Sequence, residues 1–224
     1  MAARHIFVTG GTGYIGGRLL PALLQRGHSI RALARKGSEQ KLPAGVVPII
    51  GDALDSQSFA GQVPPADTFI QLLGVPHPGP SKAALFRSVD LVSIQASVHA
   101  AVNAGITHFI YLSVAHPAPV MKDYIDVRMK GEALLQASGL NATFLRPWYV
   151  LGPGHRWPYL LAPFYWLCER LPFSRDGACR LGLVTLSQMV FALVAAVEKP
   201  PAGIRVLEVP QIRAGSFNAE VSLL

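Results

Sequence analysis

The run Thr9-Gly10-Gly11-Thr12-Gly13-Tyr14-Ile15-Gly16 constrains this chain more than any other feature. Apolar Ile6-Phe7-Val8 precedes it, and residues 13–26 follow with Leu19, Leu20, Leu23 and Leu24 on one helical face. A strand, a glycine turn and an amphipathic helix in that order open a nucleotide-binding βαβ unit. Gly10 is expected to make the tight turn, Gly13 to let a pyrophosphate approach the backbone, and Gly16 to let helix and strand pack closely. With Thr12, Tyr14 and Ile15, these glycines would cradle the anion at a helix N-terminus, where free N–H groups and the helix dipole favour negative charge. The alternative is a glycine turn that holds no ligand.

The rest of the chain repeats the strand–helix alternation. Strands are predicted over residues 5–9, 28–34, 46–50, 66–73, 108–113 and 142–146, and helices over 13–26, 82–103 and 123–138. The fourth strand is almost wholly apolar at its centre, as a strand covered on both faces should be. Gly27, Gly105 and Gly139 close the three helices. This alternation predicts an α/β fold, a Rossmann-type doubly wound parallel sheet with right-handed crossovers. After Pro147 the pattern loosens into an aromatic stretch at 157–170, a helix at 186–198 and a late strand at 205–209. One domain is expected, with a core over about 4–150 and a small C-terminal substrate-side extension over about 151–224.

Half of the 224 residues are hydrophobic and 15% are charged, which argues for a globular chain and against disorder. The formal charge of +7 calls for an anionic partner. A phosphate-rich cofactor or an anionic membrane surface accounts for it, and without a basic run interleaved with aromatics no nucleic acid is expected. Cys168 and Cys179 fit neither a disulfide framework nor a CxxC pattern, so reduced thiols and a cytoplasmic location are expected. The first strand starts almost at once, leaving no signal peptide expected. The richest apolar stretch carries Pro158 and Pro163 and falls short of the roughly 20 residues of a spanning helix. No metal-ligand cluster, carboxylate pair or GxSxG elbow suggests a rival chemistry.

Cofactor choice turns on the end of the second strand. A ribose 2′-hydroxyl is recognised by an acid there, but the chain reads Ala32-Leu33-Ala34-Arg35-Lys36, with Arg31 nearby and no carboxylate before Glu39. A guanidinium and an ammonium suit a 2′-phosphate, which favours NADP(H) over NAD(H). The alternative is a solvated basic strand end. Asp52, followed by Ala53, ends the third strand and would either accept from an adenine amino group or cap the helix beginning near Asp55-Ser56. Leu73 and Gly74 at the end of the fourth strand, and Ser113 at the end of the fifth, fall on the same carboxyl edge, where ligands bind in such sheets.

The segments TGGTGYIG, RALAR, GDALDSQSF, FIYLS and EALLQASGLNATFLRPWYVLGPG together resemble the atypical and extended short-chain dehydrogenase/reductases. More narrowly, residues 4–154 resemble the NAD(P)H-binding branch of the epimerase/dehydratase and NmrA-like proteins, with a looser match through 205–209. The resemblance implies that Pro147, Trp148 and Tyr149 pass beside the nicotinamide. It also implies a Tyr-x-x-x-Lys pair on one helix, aided by a serine or threonine after the fifth strand. Residues four apart share a helical face, so the cation sits beside the phenol, lowers its pKa and lets it act as an acid.

Here the pair reads Tyr124 and Arg128, with Glu132 one turn further on. Lys130 cannot substitute, because two residues along a helix is about 200°, the opposite face. Arginine keeps the charge but has a different fork and does not deprotonate. The slot for the family's hydroxyl falls on Val114, beside Ser113. Tyr124 is therefore either the proton donor, with Arg128 as its electrostatic partner, or a tyrosine at the pocket rim. His116, also at the carboxyl edge, is either a second acid or a turn residue before proline.

The aromatic segment at 157–167 would be an apolar lid, an internal or dimer contact, or a peripheral membrane contact. The leading expectation is an NADP-dependent oxidoreductase acting on a small apolar or aromatic carbonyl or quinone-like molecule, as a monomer or homodimer. Next comes a dinucleotide-binding redox sensor or assembly subunit without turnover. Third is a sugar-nucleotide epimerase or dehydratase, for which the carboxyl-terminal part leaves little room.

Overall fold

Alternate residues of a strand point to opposite faces of the sheet, and in this chain both sets are apolar. The computed structural model describes residues 2–153, 168, 170 and 175–220. In chain order these include β1 (His5–Thr9), α1 (Gly16–Gln25), β2 (Ser29–Ala34), β3 (Val46–Ile50), β4 (Thr68–Gln71), α2 (Val92–Asn103), β5 (His108–Leu112), α3 (Lys122–Ala137) and β6 (Ala142–Arg146). Then follow β7 (Tyr149–Leu151), α4 (Arg175–Arg180), β8 (Leu183–Thr185), α5 (Leu186–Glu198), β9 (Ile204–Glu208) and α6 (Val209–Glu220).

Seven strands form one sheet in the order β3-β2-β1-β4-β5-β6-β9, and every neighbouring pair is parallel. On one face Ile6, Val8, Ile70, Ile110 and Leu145 pack with α1 and α5. On the other, Phe7, Phe69, Phe109, Tyr111 and Phe144 pack with residues of α2 and α3. The Phe7, Phe69 and Phe109 rings stack across β1, β4 and β5 at centroid distances of 5.2 and 5.0 Å. The predicted doubly wound parallel sheet is the one observed. The order of strands reverses at β1, so β2 and β3 lie to one side of the glycine turn and β4 and β5 to the other.

Several elements differ from the sequence-based expectation. The first helix starts at Gly16 instead of residue 13, because Gly13 N–H donates to Gly10 O at 3.0 Å and the preceding residues are used in the turn. Residues 82–103 are not one regular helix: a short α-helical piece (Ala83–Leu85) passes into a π-helical stretch (Phe86–Leu91) before α2 begins. The wider π turn buries Phe86 and Asp90 and leaves Arg87 and Ser88 exposed. The short strands β7 and β8, which pair in parallel outside the main sheet, were too brief to leave a periodic signature. The helix after β8 is fixed by a capping box, with Thr185 Oγ1 accepting from Gln188 N–H and the Gln188 side chain accepting from Thr185 N–H.

The aromatic segment at 157–167 lies outside the described residues. Among the described residues no helix is long and apolar enough to cross a membrane, and no group of three His, Cys, Asp or Glu is placed to hold a metal ion.

His108 opens β5 in the interior, with its Nε2 3.0 Å from Thr143 Oγ1, and Arg205 Nη2 donates to the same hydroxyl at 3.1 Å. Burial, aided by the Arg205 charge, pulls the His108 pKa from 6.5 down to about 4. Between those values the unfolded chain binds a proton that the folded chain refuses, so stability is present above pH 6.5 and is lost as the pH falls toward 4. Urea midpoints measured from pH 7 to pH 4.5 should fall for the wild-type protein. They should fall less steeply for His108→Gln, which has no proton to gain.

Candidate functional site

The turn after β1 is built around positions that tolerate no side chain. Gly10 has φ +77°, and a Cβ there would stand 2.7 Å from the backbone N of Leu73. A Cβ on Gly16 would meet the carbonyl oxygens of Gly10 and Gly11 at 2.5 Å. Its close packing is thus against the turn itself. Ile15 supplies no side-chain cap to α1. Gly17 N–H donates to Gly13 O at 2.9 Å and Arg18 N–H to Ile15 O at 3.0 Å, and the positive end of the helix dipole faces the turn, where it favours an anion. Gly10, Gly13, Tyr14, Ile15 and Gly16 line a cavity of about 290 Å³ whose opposite wall is Leu72, Gly74, Pro76 and His77. Glycine-walled space at a helix N-terminus, at the point where strand order reverses, fits the pyrophosphate of a dinucleotide. Thr12 is half-buried within the same turn. A larger cavity of about 930 Å³ opens between α1 and α5, lined by Arg18, Arg26, Leu186 and Phe191 among others. It shares no lining residue with the glycine turn.

On the β2 side, Arg35 and Lys36 are exposed just past the strand end, and their side chains hydrogen-bond to no described residue. Arg31 behaves differently: its Nη1 donates to the carbonyls of Gln62 and Pro64 at 2.7 and 2.5 Å, which commits it to a neighbouring turn. Asp52 is exposed, and its Oδ1 accepts from Leu54 N–H at 3.0 Å. The capping role falls to Asp55, whose Oδ1 accepts from Gln57 N–H. Ala53 is buried beneath.

On the β4 and β5 side, Tyr124 and Arg128 do share one face of α3, but the cation is not free. Arg128 is 3% exposed. Its Nη2 donates to Asp90 Oδ1 at 2.5 Å and its Nη1 to Leu112 O at 2.9 Å. The guanidinium carbon lies 5.1 Å from the Tyr124 ring centroid and 5.8 Å from that of Tyr111. The charge therefore sits over the ring faces, in cation–π contact. Tyr124 is half-buried, with its ring 5.0 Å from that of Phe86. Burial holds the Tyr111 pKa up at about 12, which keeps that phenol neutral. Lys130 is exposed and paired with Asp126 at 2.8 Å, away from this cluster.

One turn further along α3, Glu132 gathers a second polar cluster at the ends of β5 and β6. Ser113 Oγ donates to Glu132 Oε1 at 2.6 Å, and Arg146 donates to both Glu132 oxygens at 2.9 and 2.5 Å. Arg146 Nη1 also reaches Glu208 at 2.8 Å, across the β6–β9 register. His116 Nε2 lies 3.7 Å from Glu132 Oε2. The Ser113 hydroxyl is thus engaged in the interior, and buried Val114 offers none. Pro147 is buried, its carbonyl accepting from Ala115 N–H at 3.0 Å, and half-buried Trp148 packs edge-on against Tyr149.

The fold thus collects Gly10, Gly13, Tyr14, Ile15, Gly16 and Gly74 around one cavity, with Leu73 backed onto the turn. Arg35, Lys36, Asp52 and Ala53 stand at one end of the carboxyl edge, and Tyr124, Arg128, Ser113, Pro147 and Trp148 at the other. Sequence reasoning missed Asp90, Arg146 and Glu208. A signal for Asp90 existed: it is the lone acid in Phe86-Arg-Ser-Val-Asp-Leu-Val-Ser-Ile, and with Ser93 and Ser97 it forms a polar stripe at helical spacing. For Arg146 and Glu208, 62 residues apart, only strand pairing brings the partners together.

Residues 10–155 match the family described as NAD(P)H-binding. A 3-beta-hydroxysteroid dehydrogenase of Mycolicibacterium neoaurum is 30% identical over 117 residues, covering 48% of this chain and 31% of its own. A ceramide reductase of Caulobacter vibrioides is 26% identical over 215 residues, covering 95% of this chain and 66% of its own. The chain thus spans from about a third to about two thirds of the length of these curated relatives. Among solved structures, the Bordetella bronchiseptica enzyme WbmH in complex with NAD+ shares the fold with a TM-score of 0.70 at 19% identity, covering 100% of this chain and 83% of that one. From glycine turn to strand order, this chain belongs to the NAD(P)H-binding family, of the extended short-chain dehydrogenase/reductase type.

Proposed function

We propose that this protein is an NADPH-dependent reductase of a carbonyl group borne on a mainly apolar molecule. The observation that carries this reading is the placement of Tyr124 and Arg128 on one face of α3, with the guanidinium against Gly74 of the cofactor cleft. When bound, the dinucleotide supplies hydride. Tyr124 is positioned to give its phenolic proton to the carbonyl oxygen, and the positive charge over its ring favours the phenolate left behind. Choice of NADPH over NADH rests on Arg35 and Lys36, which no described acid or carbonyl occupies. Lipid or sterol bodies in the names of the ceramide reductase and the hydroxysteroid dehydrogenase support an apolar substrate. The reading takes residues 1–224 as one domain.

A second reading, cofactor binding without turnover, is favoured by the ion pair to Asp90. A guanidinium neutralised by a carboxylate at 2.5 Å does less for a phenolate than a free ammonium would.

Titration of purified protein should give tighter binding of NADPH than of NADH. Arg35→Ala should weaken NADPH about tenfold while leaving NADH unchanged, the expected loss of a charge-assisted contact. NADH affinity equal to or above NADPH affinity in the wild-type protein would remove the phosphate-site assignment.

Against a panel of apolar ketones, aldehydes and quinones, NADPH oxidation should be observed. Tyr124→Phe should lower kcat by about 10²-fold or more at unchanged NADPH affinity. Tight NADPH binding with no oxidation across the panel would establish the second reading.

A further inference from the structure

The Gly74–His77 segment forms the wall of the cleft opposite the glycine turn, and side chains beyond it hold its backbone. Val75 N–H donates to Asp90 Oδ2 at 3.1 Å. Lys82 Nζ donates to the carbonyls of Pro76 and His77 at 2.7 and 2.9 Å. A Cβ added to Gly74 would land on Arg128 Nη2 and stand 3.0 Å from Asp90 Oδ1. The other carboxylate contact of Asp90 is Arg128 itself, which in turn donates to Leu112 O at the end of β5. One carboxylate thus joins the exit of β4, the exit of β5 and helix α3.

This junction lies on the half of the cleft that receives the nicotinamide. Strand order puts β2 and β3, with Arg35 and Asp52, on one side of the glycine turn. A dinucleotide with its pyrophosphate at the turn and its adenosine over β2 extends its other ribose over β4 and β5. We infer that Asp90 is a positioning residue for the nicotinamide half of the cofactor, acting through Arg128 and the Val75 amide to hold the Gly74–His77 wall.

Asp90 is itself held from behind. Ser93 Oγ donates to Asp90 O at 3.0 Å, and Gln71 Nε2 donates to Ser93 Oγ at 3.2 Å. Gln71 Oε1 accepts from Thr9 Oγ1 and from Ser97 Oγ. This buried polar line runs from the residue before Gly10 to the main-chain carbonyl of Asp90. Asp90 and Arg128 have side chains 0% and 4% exposed, so removing one partner would leave the other charge uncompensated in the interior. Arg128 is on this account also a positioning residue: its Nη1 and Nη2 groups face a carbonyl and a carboxylate of the protein. The inference rests on cofactor binding at this cleft and is independent of turnover.

The test uses the full chain and two pairs of probes: NADPH with 2′,5′-ADP, and NADH with ADP. The smaller member of each pair lacks the nicotinamide and its ribose, and 2′,5′-ADP lacks one phosphate of the pyrophosphate as well, so each variant is compared with wild type on the same probe. Asp90→Asn is compared with the double variant Asp90→Asn/Arg128→Met, which removes both charges and so avoids an unpaired buried cation. Both variants should bind NADPH and NADH about tenfold more weakly, while their affinity for 2′,5′-ADP and ADP stays within about twofold of wild type. The double variant should unfold near the wild-type temperature. Unchanged dinucleotide affinity in the double variant overturns the inference. So does an equal loss for the dinucleotides and their adenosine fragments, which marks a purely structural pair. Wild-type protein that binds neither NADPH nor NADH overturns the cofactor reading and this inference with it.

Discussion

Everything at the carboxyl edge of this sheet depends on how closely the first helix approaches the turn that follows the first strand. The carbonyls of Gly10 and Gly11 lie where a side chain on Gly16 would begin, and the backbone of Leu73 closes against Gly10. That contact sets the distance between the turn and the wall that follows β4, and hence the width of the cleft. A larger residue at either position would have to displace backbone, because core packing leaves little slack.

Behind the cleft runs a layer of polar groups in an otherwise apolar interior. Thr9, Gln71, Ser93, Ser97, Asp90 and Arg128 are all buried, and hydrogen bonds link them from β1 through β4 and α2 to α3. A second group, Ser113, Glu132, Arg146 and Glu208, ties β5 and α3 to β6 and β9. Buried polar groups are costly unless satisfied. Here all but Arg128 Nε and Glu208 Oε2 find hydrogen-bond partners within the layer, and the bonds fix which segments meet at the site. The π-helical stretch before α2 belongs to the same device, since it turns Asp90 inward.

Against the tyrosine–lysine pair that the family resemblance implies, an arginine at position 128 brings different electrostatics. An ammonium is a compact charge on a flexible stem, whereas a guanidinium spreads its charge over a planar fork that can bind several acceptors at once. Arg128 uses that fork on Asp90 and Leu112 while lying over two aromatic rings. The positive charge is kept in place and partly spent internally. Helical spacing of four residues placed Tyr124 and Arg128 together, as expected, but on ring face instead of hydroxyl.

The glycine turn, the parallel sheet and the strand-end basic pair were legible in the linear sequence, because each rests on local geometry or on the period of apolar residues. Gly10 and Gly16 need no distant partner to declare themselves, and the all-apolar centre of β4 reveals a strand covered on both faces. The sequence alone could not separate Arg35 and Lys36 from Arg31. Only the fold ties Arg31 to the carbonyls of Gln62 and Pro64 and leaves its neighbours exposed. Nor could it pair Asp90 with Arg128, 38 residues away. Their meeting depends on a π turn, a helix crossing and the absence of a side chain at Gly74. Local sequence determined that this chain builds a dinucleotide cleft; tertiary packing decided where its buried charges go, because a desolvated charge must find its partner wherever the chain brings one.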